Sequence, residues 1–154
     1  MIANRVNNIK PSFTLEMATK AAEMRSEGID VINFSVGEPD FNTPKHICDA
    51  AKNAIDSGYT KYTAGPGMIE ARQAICKKLE RDNGLYYNPD NVLISNGEKQ
   101  SLFTACQALF NPGDRVIVFT PYWVSFPEFV RMADAEPILI KTLANNNYEP
   151  DFHD

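Results

Sequence analysis

One tryptophan, two histidines and three cysteines are thin provision for 154 residues, and each shortage excludes something. Two imidazoles, His46 and His153, are too few for a histidine-based metal centre, and His46 falls where a helix should begin, so no metal is expected. Cys48, Cys76 and Cys106 are odd in number and widely spaced, with no C-x-x-C pair. A disulfide framework is therefore not expected, and buried or reduced thiols are. No segment approaches the run of about 18 apolar residues that a membrane span needs, and residues 1–10 hold no apolar run of signal-peptide length. The expectation is a cytoplasmic protein with no membrane contact. Basic residues are also scarce, 15 against 20 acidic ones for a net charge of −5. Nucleic acid is thereby excluded as a partner, because binding it takes a clustered basic face.

What is present is ordinary for a soluble globular chain: 44% hydrophobic and 23% charged residues, at a length suited to one domain. The most informative stretch runs from Val92 to Trp123. Val92-Leu93-Ile94-Ser95 reads as a short buried strand that Asn96-Gly97 breaks. From Glu98 to Phe110, the residues Leu102, Phe103, Ala105, Cys106, Leu109 and Phe110 cover so wide an arc that a helix buried on most sides is expected. Asn111-Pro112-Gly113-Asp114 ends it. Val116-Ile117-Val118-Phe119 then reads as a strand covered on both faces, as in parallel sheets. The unit is strand, tight turn, helix, strand.

A helix that follows such a turn presents backbone N–H groups with no intrahelical partner. An anion at Gly97-Glu98-Lys99 would gain those N–H bonds and a dipole contribution of about 0.3–2 kcal/mol. Taken on the residues alone, the same turn serves equally well as a strand-to-helix connection that binds nothing.

Elsewhere the pattern alternates helices with short apolar runs. Lys10-Pro11-Ser12 forbids a helix through that point, and residues 1–13 read as a flexible arm. Residues 14–27 form a helix that Gly28 stops, and residues 29–35 read as a strand leading into Gly37-Glu38-Pro39-Asp40-Phe41. Thr43 is the expected N-cap and Pro44 the first residue of a helix that Gly58 ends. Tyr59 to Thr63 is an exposed aromatic loop. Gly65-Pro66-Gly67-Met68-Ile69-Glu70 nearly spells a dinucleotide fingerprint, but Glu70 replaces the third glycine and no apolar strand precedes it. It reads as a helix entry, with Met68, Ala71, Ile75 and Leu79 as the buried stripe and Asn83-Gly84 as the stop. Thr120-Pro121-Tyr122-Trp123 lies where a parallel strand ends, the edge at which α/β sheets bind ligands. Trp123 is either a core aromatic or a ligand contact. A helix over residues 126–133, a strand over 137–141 and a polar turn at 145–147 follow.

The series Gly37-Glu38-Pro39-Asp40-Phe41, Lys61-Tyr62, Ser95-Asn96-Gly97-Glu98-Lys99-Gln100, Asn111-Pro112-Gly113-Asp114 and Pro121-Tyr122-Trp123 resembles, in order and spacing, the class I pyridoxal-phosphate aminotransferases. The likeness runs from about Val6 onward and is nearest to bacterial aspartate aminotransferases. It implies an α/β chain of the fold-type I pyridoxal-phosphate transferases, forming an incomplete N-terminal part of the large domain with a mostly parallel sheet flanked by helices. Residues 1–45 would supply an arm, a helix and a strand to the small domain and the active-site mouth, and residues 46–154 part of the large cofactor-binding domain. The resemblance also implies a homodimer that uses pyridoxal 5'-phosphate to exchange an amino group between an amino acid, aspartate foremost, and a 2-oxo acid. Related enzymes on the same scaffold remain open: aromatic or alanine aminotransferases and aminocyclopropane carboxylate synthase. So does a catalytically dead binding fragment.

Carried onto this sequence, the resemblance assigns the cofactor phosphate to Gly97, Glu98 and Lys99, the cofactor ring to Trp123, and a contact with the other subunit's cofactor phosphate to Tyr62. Gly37 would meet the substrate carboxylate, Trp123 would also touch substrate, and Lys10 corresponds to a lysine of the aspartate aminotransferases that accept prephenate. Glu98 departs from the small residue usual at its place, so its carboxylate should face solvent. The family's Schiff-base lysine, its pyridine-pairing aspartate and its substrate-binding arginine correspond to positions beyond Asp154, and Lys99 matches the phosphate turn rather than the lysine motif. The polypeptide 1–154 by itself is therefore expected not to transaminate; measurable turnover of aspartate by that purified piece would contradict this. Unpaired strand edges and uncovered apolar faces on the helices 98–110 and 126–133 would make it aggregate or bind a partner.

Overall fold

The structure, a computed structural model, describes residues 2–151 and comprises two compact units. One is made of Met1–Gly37 with Leu102–Asp154, the other of Glu38–Ser101.

The first unit is built on two parallel strands. β1 (Arg115–Thr120) pairs with β2 (Glu136–Lys141) in a register that sets Arg115 opposite Glu136 and Thr120 opposite Lys141. The connection between them contains helix α6 (Phe126–Met132), as a parallel pair requires a crossover. The core of this unit is small: Val118, Phe129, Val130, Ala133 and Ala135 are buried. Two short helices precede the sheet in sequence, α1 (Asn4–Asn7) and α2 (Phe13–Ser26), the latter with Ala21 buried. The Asn-Pro-Gly-Asp loop has a plain structural task. Asp114 Oδ2 accepts the Asn111 N–H at 2.7 Å, Gly113 N–H donates to Asp134 O at 3.1 Å, and Glu136 N–H donates to Asp114 O at 2.8 Å. The loop thus fixes where both strands begin.

The second unit holds α3 (Lys45–Asp56), α4 (Ile69–Asn83) and a 3-10 turn over Pro89–Asn91. Its one buried residue is Arg72, whose Nη1 donates to Pro89 O at 2.9 Å and tethers the 3-10 turn to α4. Helix α5 (Gly97–Leu109) starts in this unit and its later residues belong to the first. Three helices stop where the sequence places glycine. At Gly28, Gly58 and Gly84 the backbone turns left-handed, and the following amide reaches back to the carbonyl six residues earlier or nearly so, as Leu85 N–H does to Leu79 O at 3.1 Å.

Several expectations are corrected. Residues 29–35 and 92–95 are not strands: neither has a ladder partner among the described residues, and Phe34 is 91% exposed. Apolar spacing describes one segment, whereas a strand exists only where a neighbour supplies hydrogen bonds. β1 is covered on one face only, since Val118 is buried while Ile117 and Phe119 are exposed. Helix α5 has no buried residue, and Leu109 is exposed. The expected stripe of α4 is largely open, with Met68 and Ile75 exposed, while Arg72 is the residue that is covered. Pro44, not Thr43, occupies the N-cap of α3, and no side chain caps it. The arm is not wholly irregular, because α1 forms within it. Helix α6 does cover its apolar face, through Phe129 and Val130. Of the sequence features singled out above, His153 and Asp154 lie outside the described residues.

Candidate functional site

The turn into α5 is shaped by a chain of local hydrogen bonds. Gly97 takes φ +79°, a conformation that costs glycine little and side-chain-bearing residues more. Its N–H is already used, donating to Ser95 O at 2.8 Å, and the Asn96 N–H donates to Gln100 Oε1 at 2.6 Å. The hydroxyls of Ser95 and Ser101 are hydrogen-bonded to each other. Amides available to an outside anion therefore begin at Glu98, whose N–H has no acceptor in the preceding loop among the described residues. A Cβ placed on Gly97 would meet nothing within 4 Å. The side chain of Glu98 is exposed, consistent with a carboxylate in solvent. Amide donors at a helix N-terminus are groups that an anion such as phosphate accepts from.

In the same unit Tyr62 is fully exposed, on the loop that follows Gly58. A cavity of about 450 Å³ beside that loop is lined by Ser57, Tyr59, Lys61, Tyr62 and Met68.

Trp123 and Lys10 belong to the first unit. Trp123 follows the C-terminal end of β1 after a cis Thr120–Pro121 bond. Its ring stands edge-on to Phe126 at 5.6 Å and to Phe129 at 6.2 Å, with 41% of the residue exposed. One side of the ring packs on α6, and the rest is accessible. A cavity of about 480 Å³ is lined by Lys10 and Ser12 from the arm and by Tyr122, Val124 and Ser125 from the segment around Trp123. Gly37 lies in an exposed, irregular segment with nothing near its Cα side. A residue that sequence reading passed over is Glu128, which lines this cavity and accepts the backbone N–H of Lys10 at 3.2 Å. Only its charge in the first turn of an apolar helix marked it in advance.

Cys48, Cys76 and Cys106 are free thiols on α3, α4 and α5, and burial pushes the Cys106 thiol up, toward the neutral form. No helix among the described residues is long and apolar enough to cross a membrane.

A parallel strand pair joined through a crossover helix is an α/β arrangement; comparison with known proteins makes the family definite. The profile described as Aminotransferase class I and II matches residues 29–154. Aspartate aminotransferase of Bacillus sp. (strain YM-2) is 46% identical over 149 residues, 97% of this chain and 38% of the relative. Aspartate/prephenate aminotransferase of Nitrosomonas europaea is 48% identical over 141 residues, 92% of this chain and 36% of the relative. Among solved structures, aspartate aminotransferase from Thermus thermophilus with maleate superposes with a TM-score of 0.93 at 42% identity, covering 98% of this chain and 40% of that one. The chain belongs to the class I and II aminotransferases, a pyridoxal-phosphate-dependent family, and corresponds to its N-terminal part. It spans about two fifths of the length of the relatives it matches.

Proposed function

We propose that this chain is the N-terminal part of an aspartate-type aminotransferase, which moves an amino group from aspartate to a 2-oxo acid as a homodimer in the cytoplasm. The observation that carries the reading is the match of residues 29–154 to the aminotransferase family, with relatives named for aspartate or for aspartate and prephenate. Bound pyridoxal phosphate supplies the electron sink that such a transfer needs. The residues of this chain bind and orient. The amides opening α5, from Glu98 through Lys99, hold the phosphate, and Gly97 keeps the approach open. Trp123 lies against the ring face and touches substrate. Tyr62, exposed in its own unit, reaches the cofactor phosphate of the partner subunit. The Gly37 backbone meets the substrate carboxylate, and the Lys10 ammonium meets a second acidic group of the substrate. Residues 1–45 serve the small domain and the active-site mouth, and residues 46–154 the large domain.

A second reading, use of prephenate as the amino-group acceptor, is favoured by Lys10 and by the Nitrosomonas europaea relative. Alanine aminotransferase from Pyrococcus furiosus also superposes with a TM-score of 0.91, at 27% identity, so a monocarboxylic substrate is the competing possibility.

The test is to titrate the full-length protein with pyridoxal phosphate by absorbance, then add aspartate or alanine. Aspartate should change the spectrum at lower concentration than alanine does; the reverse order would overturn the aspartate assignment. In the same assay Trp123→Ala should weaken cofactor binding about 2- to 12-fold, because aromatic stacking is worth about 0.5–1.5 kcal/mol beyond burial and about 1.4 kcal/mol is a factor of ten. Unchanged affinity and an unchanged spectrum would remove Trp123 from the site.

A further inference from the structure

The arm that carries Lys10 meets α6 and the turn just after it through two polar contacts of unequal weight. Arg5 Nη1 pairs with Asp134 Oδ2 at 3.1 Å, but both side chains are exposed, and such pairs contribute little. The other contact is better covered. Glu128 Oε2 accepts the Lys10 backbone N–H at 3.2 Å, while Glu128 Oε1 takes Arg131 Nη1 at 2.5 Å. The Glu128 side chain is 17% exposed and that of Arg131 26%. With one oxygen held by a guanidinium on its own helix, the carboxylate is fixed in direction, and its second oxygen is presented to the arm as a charge-assisted acceptor.

Lys10 is constrained from its other side too. It precedes Pro11, and the proline ring restricts the preceding residue to extended backbone angles. An anchored N–H and a restricted ψ together narrow the directions open to the Lys10 Cα–Cβ bond. The cavity beside it is lined by Tyr122, Val124 and Ser125, the neighbours of Trp123 in the chain, and by Glu128 and Arg131. Among the described residues the lysine is held by its backbone N–H and not through its ammonium.

We propose that Glu128 is a positioning residue, acting through Lys10: by anchoring the Lys10 amide it sets where the ammonium meets an acidic substrate. The inference rests on the reading of Lys10 as a substrate contact. Arg131 belongs to the same device, since it orients the carboxylate.

The experiment uses the full-length holoenzyme and four variants: Glu128→Ala, Glu128→Gln, Lys10→Ala and the Glu128→Ala/Lys10→Ala double. Lys10→Ala and Glu128→Ala should each raise KM for the dicarboxylic substrate about 3- to 10-fold with kcat within about twofold, the pattern of lost uniform binding, and the double variant should be no worse than Lys10→Ala. KM for alanine should not move. Glu128→Gln, which keeps an acceptor oxygen but loses the charge, should fall between wild type and Glu128→Ala, and it carries the test if the alanine variant fails to fold. Hydrogen exchange at the Lys10 amide should quicken in both Glu128 variants. If Lys10→Ala leaves KM unchanged, the substrate role of Lys10 falls and the positioning role with it. If Lys10→Ala raises KM but the Glu128 variants do not, or if their effects add in the double variant, positioning alone is overturned and the substrate role of Lys10 stands.

Discussion

Phe129→Ala in the full-length protein should lower the unfolding free energy by about 3–5 kcal/mol, the range for truncating a buried phenylalanine where the site collapses only partly. Phe129 is one of the few buried large side chains in its unit, alongside Val118 and Val130. It is also a ring against which Trp123 stands edge-on, at 6.2 Å and an interplanar angle of 61°. Truncation therefore removes core packing and a ring contact of Trp123. Two readouts follow: a lower denaturation midpoint, and a weakened near-ultraviolet circular dichroism from a tryptophan free to reorient. Phe129→Leu, which refills most of the volume, should recover the greater part of the stability but not the ring contact. A loss below about 1 kcal/mol would mean that Phe129 is not part of a core, since large-to-small changes at buried sites cost more than that.

Gly97→Val should weaken binding of pyridoxal phosphate by about tenfold or more while leaving the fold intact. The reason is backbone, not packing. A Cβ on Gly97 meets no atom within 4 Å, so there is no clash to relax, but φ is +79°. Holding a β-branched residue there costs about 1–3 kcal/mol, and the chain escapes that cost by rotating the turn that aims the first amides of α5. Gly97→Asn is the control, because asparagine tolerates left-handed angles, and it should retain most of the affinity. Affinity equal to wild type in Gly97→Val would show that these amides do not hold the phosphate.

The features read correctly in advance are those whose cause lies within a few residues. Gly28, Gly58 and Gly84 stop helices because the left-handed turn and its returning hydrogen bonds are local, and the Asn-Pro-Gly-Asp loop closes on its own carboxylate. The near-fingerprint at Gly65 is a helix entry, as the glutamate at position 70 and the missing strand indicate. Features that fail are those needing a distant partner. Residues 29–35 have strand-like composition but no neighbour to pair with among the described residues, and Ile117 is exposed although the four central residues of its strand are apolar. One-residue displacements, such as Pro44 rather than Thr43 at the N-cap of α3, come from a competition of local energies too close for pattern to resolve.

The sequence by itself determined the family, since motifs in fixed order survive without any knowledge of contacts, and it determined that helices end at Gly28, Gly58 and Gly84. Only the tertiary structure decided that β1 is covered on one face alone and that Trp123 stands edge-on to Phe126 and Phe129. It alone also joined Glu128 to Lys10, which stand 118 positions apart in the chain. Periodicity carries information over a turn or two of helix, whereas the meeting of an arm with a distant helix is fixed by the path of the backbone between them.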